Sequence, residues 1–344
     1  IKEGHFLIKN CFFLAVFYLD QMKSVTDVLC LLLIQKLKCH VFEKSDHFIM
    51  SIDVCLALIS AFFHVLANDA DHPHDPHDMV YVLMCNKDLM NIHQINACFV
   101  LSDEYGHFLV DGGGGSTILK QLEDAGISWK DIHTIFVTHK HIDHLLGIIW
   151  MMRMILQNMN RGTYDGEATI YGHEEVIAIL EKIAGEVLSE KETKNLGKRL
   201  HMVVVEDGEE REIIGKPVTF FDIHSTKAKQ FGFSMELEPG KKLTCCGDEP
   251  YNEAEKVYAQ NSQWLLHEAF CLFGEADQFK PYEKHHSTVK DACELGERLN
   301  VENLILYHTE DKNILKRQEM YLAEGRKFYH GNLYVPEDLD VIEL

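Results

Sequence analysis

The segment 139–144 contains three histidines and one aspartate, in the order His-Lys-His-Ile-Asp-His. Imidazole and carboxylate groups together suit zinc or another borderline divalent metal ion. The β-branched and aromatic run 134–137 before the segment predicts a buried strand, and the apolar run 145–154 after it predicts a packed helix. The four side chains therefore lie on a strand-to-helix turn, where they can converge on one point. A solvated histidine-rich loop is the alternative, and the tight spacing and apolar flanks argue against it.

This pattern resembles the metal-ligand motif of the metallo-β-lactamase superfamily. Later segments are similar to motifs of its ribonuclease Z-like branch and occur in that family's order. They are Phe-Asp-Ile-His-Ser at 221–225 followed by Phe-Gly-Phe at 231–233, Cys-Gly-Asp at 246–248, His-Glu-Ala at 267–269, His-Ser-Thr at 286–288 and Tyr-His-Thr at 307–309. The resemblance covers about three quarters of the chain, from residue 79 to the end.

The resemblance implies an αββα sandwich with two divalent metal ions, zinc first and manganese as the alternative. By this resemblance, the first ion is held by His139, His141 and His224, the second by Asp143, His144 and His308, and Asp248 bridges both. It also implies that Asp143 holds or activates the attacking water. His286 would protonate or polarise the leaving phosphate oxygen, and Glu268 would be a partner of His286 or of a ligand histidine.

Further elements are needed to position these residues. Short apolar runs predict strands at 80–84, 97–101, 108–110 and 303–307, and 202–223 predicts strands broken by a charged turn at 206–211. Helices are predicted at 117–125, 173–190, 289–298 and 311–327. The strand 108–110 ends at Asp111 and four glycines, which the resemblance places under the metal site. Strands followed by alternating strands and helices predict a layered α/β fold.

The pattern divides the chain into three parts. Residues 1–68 are apolar and predict a small helical extension; a membrane-associated or signal-like segment is the alternative, and a third is that this region lies outside the functional unit. Residues 69–78, rich in Asp, His and Pro, predict an exposed linker. The hydrolase domain is expected at 79–344.

Composition restricts the partners. The chain has 33 basic and 54 acidic residues and a formal net charge of −21, which argues against strong general binding of nucleic acid. The ten cysteines have no C-x-x-C spacing, which favours reduced thiols and a cytoplasmic location. We also expect a homodimer.

These observations predict a hydrolase of the ribonuclease Z-like type that cleaves phosphodiester bonds with a metal-activated water. The candidate substrates are an RNA 3′ end, a short oligonucleotide or a cyclic nucleotide. Only 225–247 separates His224 from Asp248, too little for the long basic arm with which tRNA-processing relatives hold tRNA, so a small or short phosphodiester is favoured. The alternative is hydrolysis of a thioester, lactone or other non-phosphate ester, and a non-enzymatic metal-binding or partner-binding protein is a third hypothesis.

Overall fold

The computed structural model describes residues 81–85, 98–310 and 312–344 of the chain. All of them belong to one compact unit, Asp75–Leu344. The predicted helical extension at 1–68 and the linker at 69–78 lie outside the described residues and stay predictions.

Fourteen strands in the described residues form two seven-stranded sheets. In chain order, the strands are β1 (Tyr81–Cys85), β2 (Cys98–Asp103), β3 (Gly106–Val110), β4 (Ile132–Val137), β5 (Ala168–Gly172), β6 (Leu200–Val204), β7 (Glu210–Ile213), β8 (Lys216–Asp222), β9 (Phe231–Glu238), β10 (Lys241–Cys245), β11 (Trp264–Glu268), β12 (Asn303–Tyr307), β13 (Asn332–Tyr334) and β14 (Val341–Glu343). The first sheet has the order β14-β1-β2-β3-β4-β5-β6, and the second has the order β13-β12-β11-β10-β9-β8-β7.

Eight α-helices of the described residues connect and cover these strands. They are α1 (Thr117–Asp124), α2 (Ile142–Arg161), α3 (Glu174–Val187), α4 (Glu190–Thr193), α5 (Lys256–Ala259), α6 (Ala276–Phe279), α7 (Val289–Arg298) and α8 (Arg317–Gly325). Short 3-10 turns occur at Trp129–Asp131, Glu253–Glu255, Phe273–Glu275 and Tyr282–Lys284. None of the helices in the described ranges is both long enough and apolar enough to cross a membrane.

Three buried clusters show how the layers pack. Successive side chains of a strand point to opposite faces, and β4 follows this rule. Ile135 packs with α2 and α3 in an outer cluster, whereas Phe136 packs with Phe233 of β9 between the two sheets. A second outer cluster joins β11 and β12 to α7 and α8. Helix, sheet, sheet and helix therefore form four layers, and the predicted αββα sandwich is confirmed.

The topology brings the chemically important residues to the ends of parallel strands. In the first sheet, β3 and β4 are parallel and lead into Asp111 and Thr138. In the second sheet β10, β11 and β12 are parallel, and Cys246, Ala269 and His308 follow them directly. The carboxyl ends of parallel strands lie at one edge of a sheet, which is where ligands bind in open α/β structures.

Several predicted boundaries differ from those of the structure. The helix predicted at 145–154 extends over Ile142–Arg161 and ends at Gly162 in the left-handed conformation. The helix predicted at 311–327 begins only at Arg317. Leu315 is 95% exposed, so the apolar residues just before α8 gain nothing from packing as a helical turn.

Candidate metal and catalytic site

The turn between β4 and α2 holds the histidine and aspartate side chains of segment 139–144. His141 is the N-cap of α2, with extended backbone angles of φ −61° and ψ 151°. Its carbonyl accepts hydrogen bonds from the amides of His144 and Leu145, at 3.1 and 3.0 Å. Asp143 lies in the first turn, where the helix dipole favours a carboxylate. The start of the helix therefore fixes the directions in which these side chains project.

The glycine turn after β3 packs against this helix start. The amide of Gly112 donates to the His144 carbonyl at 2.8 Å, and the amide of Gly147 donates to the Gly113 carbonyl at 3.0 Å. A Cβ atom on Gly147 would lie 1.6 Å from the Gly112 oxygen. Glycine is therefore required where the α2 backbone meets the turn.

Asp111 links the glycine turn to two of the histidines. Its Oδ1 accepts a hydrogen bond from the Thr138 amide at 2.8 Å, and its Oδ2 accepts from the Thr138 hydroxyl and from Nδ1 of His144, both at 2.7 Å. The Thr138 hydroxyl accepts from Nδ1 of His139 at 2.9 Å. Because Nδ1 of each imidazole is a donor in these bonds, Nε2 of each is left for the site.

The structure brings six of the seven predicted ligands into two clusters. Within each cluster, the potential ligand atoms lie within 4.8 Å of one another. The first cluster contains His139, His141 and Asp248, and the second contains Asp143, His144 and His308. Five of the six belong to the groups that the resemblance implied for the first and second ions, and Asp248 is the implied bridge.

Asp248 lies between the two clusters. Its Oδ2 is 3.6 Å from Nε2 of His139 and 3.4 Å from Nε2 of both His144 and His308. In the described part of the chain, Oδ1 of Asp248, Nε2 of His144 and both ring nitrogens of His308 are buried without a hydrogen-bond partner. Burying such atoms is costly unless something binds them. Imidazole nitrogens and carboxylate oxygens are also the ligands of zinc, so these residues fit a pair of divalent ions.

Charges within the clusters oppose the effect of burial on the pKa values of the two carboxylates. Burial would raise the pKa of Asp248, but the neighbouring imidazoles, His139 first, hold it well below its usual range. Burial would raise the pKa of Asp143 too, but the imidazole of His308, with Nε2 3.6 Å from Oδ2 of Asp143, and the charge of His144 lower it on balance. Burial and the charge of His144 lower the pKa of His139. Carboxylates and neutral imidazoles are the forms that bind metal ions.

His224 is the predicted ligand that the structure does not bring into either cluster. Its side chain is exposed, and its amide donates to Oδ1 of Asp222 at 2.7 Å. Its backbone has a positive φ of 55°, a value that L-residues rarely adopt. The role of His224 as a ligand therefore stays a prediction.

His286 and Glu268 lie together beside the second cluster. Glu268 ends β11 and is fully buried; its Oε1 accepts a hydrogen bond from the Ser287 amide, and its Oε2 is 3.6 Å from Nδ1 of His286. The Phe270 ring stacks on the His286 ring, with the two ring centres 4.9 Å apart. The centre of the His308 ring lies 5.2 Å from the centre of the His286 ring. Nδ1 of His286 therefore faces Glu268, which leaves Nε2 for a substrate.

Sequence reasoning missed a group of residues on the loop after β8. Nζ of Lys227 lies 3.4 Å from Nε2 of His286. The pKa of His141 is lowered mainly by burial, and the positive charge of Lys227 contributes to the shift. The basic residues beside the predicted ligand His224 were a signal of this arrangement, but they also fit an exposed loop. The contact with His286 joins residues 59 positions apart, which local sequence patterns do not reveal.

Comparison with known proteins places the chain in a family. Residues 88–329 match the family described as Anti-Pycsar protein Apyc1, which is more than half of the 344-residue chain. The chain belongs to this family. Ribonuclease Z of Thermococcus sibiricus is 25% identical to this Apyc1-family chain over 283 residues, covering 70% of the chain and 89% of that relative.

Two crystal structures show the same fold as this Apyc1-family chain. The metallo-β-lactamase fold protein YhfI from Bacillus subtilis has a TM-score of 0.60 at 13% identity and covers 78% of this chain and 100% of its own. The short form of human tRNase Z has a TM-score of 0.55 at 19% identity and covers 76% and 98%. The predicted metallo-β-lactamase fold, of the ribonuclease Z-like branch, is confirmed.

Proposed function

We propose that this chain is a metal-dependent phosphodiesterase that acts on small or short phosphodiesters, with two divalent metal ions at the clusters around Asp248. The convergence of the two clusters on one buried carboxylate, with His286 at their edge, is the observation that carries the proposal. The ribonuclease Z relative supports phosphodiester chemistry and does not favour a thioester or lactone.

The two ions would be held by His139 and His141 on one side and by Asp143, His144 and His308 on the other, with Asp248 between them. We propose His224 as a further ligand of the first ion. When bound, such a pair supplies a water of lowered pKa and neutralises charge at the phosphate. Zinc suits the donor set best, and manganese is the alternative.

The protein's own residues would orient the reaction and supply a proton. Once the water has lost a proton to solvent, a bond forms between its oxygen and phosphorus, and the bond from phosphorus to the leaving oxygen breaks. We propose that Nε2 of His286 gives its proton to that leaving oxygen, while Glu268 holds the ring through Nδ1. The Phe270 ring covers one face of the imidazole and limits its rotation.

The substrate is proposed to be small for two reasons. The segment 225–247 contains a short loop and the β9–β10 hairpin, with Pro239 and Gly240 between the strands, so it has no long basic arm. The net charge of −21 repels long polyanions, whereas a small diester meets mainly the site itself. A cyclic nucleotide, a dinucleotide and a short RNA 3′ end meet these conditions. The homodimer and the cytoplasmic location stay predictions.

The test compares substrates at one salt concentration. We expect kcat/KM for a cyclic nucleotide or a dinucleotide to exceed that for precursor tRNA, with the Asp143→Asn variant as the inactive control. Efficient and accurate removal of the tRNA 3′ trailer, faster than cleavage of the small diesters, would overturn the assignment of a small substrate.

A further inference from the structure

The loop that follows β8 is tied to both halves of the proposed site by three consecutive side chains. The Ser225 hydroxyl donates to Oε1 of Glu249 at 2.7 Å, and Glu249 directly follows Asp248 in the chain. The Thr226 hydroxyl and Nδ1 of His285 are 2.8 Å apart. Nζ of Lys227 is 3.4 Å from Nε2 of His286. The loop therefore has a defined position across the edge of the site.

The backbone under Lys227 is held in place as well. The amides of Lys227 and Ala228 both donate to the Ser225 hydroxyl oxygen at 3.2 Å, and Ala228 is buried. Within the described residues, no carboxylate lies close enough to form an ion pair with Lys227. By contrast, the ammonium of Lys229, two positions further on, lies over the Phe231 ring at 5.3 Å. Neighbouring lysines of one loop thus have different surroundings.

The Lys227 ammonium and Nε2 of His286 lie next to each other at the edge of the proposed site. Nδ1 of His286 faces Glu268 and one ring face is covered by Phe270, so Nε2 is the atom left for a ligand. The Lys227 ammonium lies 3.4 Å from that atom. An ammonium beside an imidazole nitrogen favours an oxyanion at this point. The chain has a net charge of −21, so an ammonium at this point provides a local positive charge that attracts anionic ligands to the site.

We propose that Lys227 is a catalytic residue that binds a non-bridging oxygen of the scissile phosphate, beside His286. The inference rests on the proposed phosphodiesterase function and adds a residue to it. A diester has one negative charge in the ground state, and more charge collects on its non-bridging oxygens when water attacks. The Lys227 ammonium therefore binds the transition state more tightly than the substrate, so that its removal lowers kcat more than it raises KM.

The experiment uses the full chain, loaded with metal, and three variants. Lys227→Met removes the ammonium, Lys227→Arg keeps a positive charge, and Lys229→Met is the matched control on the same loop. With a small diester we expect Lys227→Met to lose about 10- to 100-fold in kcat/KM, mostly in kcat. Lys227→Arg should recover part of the loss, and Lys229→Met should stay within about twofold of the wild type. Equal effects of the two methionine substitutions would overturn the proposal.

Binding of inorganic phosphate, measured by calorimetry at equal metal content, is the second readout. We expect Lys227→Met to weaken it about tenfold, both in the wild type and in a His286→Ala background. If the loss disappears in that background, Lys227 acts only by holding His286, and the proposal is wrong. If the wild type hydrolyses no diester, the proposed function fails, and phosphate binding alone then decides the role of Lys227. Weaker binding in Lys227→Met supports the role, and unchanged binding contradicts it.

Discussion

Replacing Asp111 with asparagine should weaken metal binding without touching a proposed ligand. The carboxylate of Asp111 accepts three hydrogen bonds, two from Thr138 and one from Nδ1 of His144. An asparagine keeps one acceptor oxygen but places an NH₂ donor in the position of the other. If that donor faces His144, the imidazole must accept at Nδ1 and carry its proton on Nε2, the nitrogen that faces Asp248.

The expected size of the effect follows from that single bond. A hydrogen bond to a charged group contributes about 1.5–3 kcal/mol, and loss of such an outer partner typically lowers metal affinity about 10- to 100-fold. Zinc affinity can be measured by competition with a chromophoric chelator, and circular dichroism reports whether the fold is kept. The exposed Asp165 provides the matched control, Asp165→Asn, which should bind zinc like the wild type. Unchanged zinc affinity in a folded Asp111→Asn variant would refute the reasoning.

Three further predictions concern the reaction and the pH dependence of stability. Asp143→Ala should abolish diester hydrolysis while the fold is kept; activity retained at equal metal content would contradict its role. His286→Ala should lower kcat far more than it raises KM, because a proton donor acts mainly in the transition state; a change in KM alone would argue against this. Burial raises the pKa of Glu255 from 4.5 to about 8, so this carboxyl stabilises the native state fully below pH 4.5 and loses that contribution as pH rises through 8. Relative to Glu255→Gln, the wild type should therefore lose free energy of unfolding between pH 5 and 8, by at most about 5 kcal/mol. The prediction would be contradicted if the free energy of unfolding of the wild type and that of Glu255→Gln changed with pH in the same way across this range.

The parts of the site that the sequence predicted best are those encoded within a few residues. Segment 139–144 combines its ligand spacing with an apolar strand before it and an apolar helix after it, and the structure places it on that turn. The predicted strand at 303–307 and helix at 289–298 have the bounds that the structure gives, because the strand contains a continuous apolar run and the helix is amphipathic and begins after the N-cap Thr288. The resemblance then connected these local motifs across the chain.

The parts of the site that the sequence did not predict depend on contacts between segments that are distant in the chain. The approach of Gly147 to Gly112 and the three bonds of Asp111 become visible only when α2 packs on the β3 turn. The contact of Lys227 with His286 depends on how the loop between β8 and β9 packs against the segment between β11 and α7. The side-chain direction of His224 depends on its positive φ, which no local pattern encodes.

The most direct test of the account is metal-dependent hydrolysis by stripped and reloaded protein. The chain would be depleted of metal with a chelator and reloaded with increasing zinc. Bis(p-nitrophenyl) phosphate, nitrocefin and a thioester would then be assayed in parallel with elemental analysis. We predict about two bound ions per chain and hydrolysis of the phosphate diester that appears as they are restored. The account would be contradicted by a protein that retains no metal after loading with zinc or manganese, or by one that cleaves nitrocefin or the thioester and leaves the diester intact.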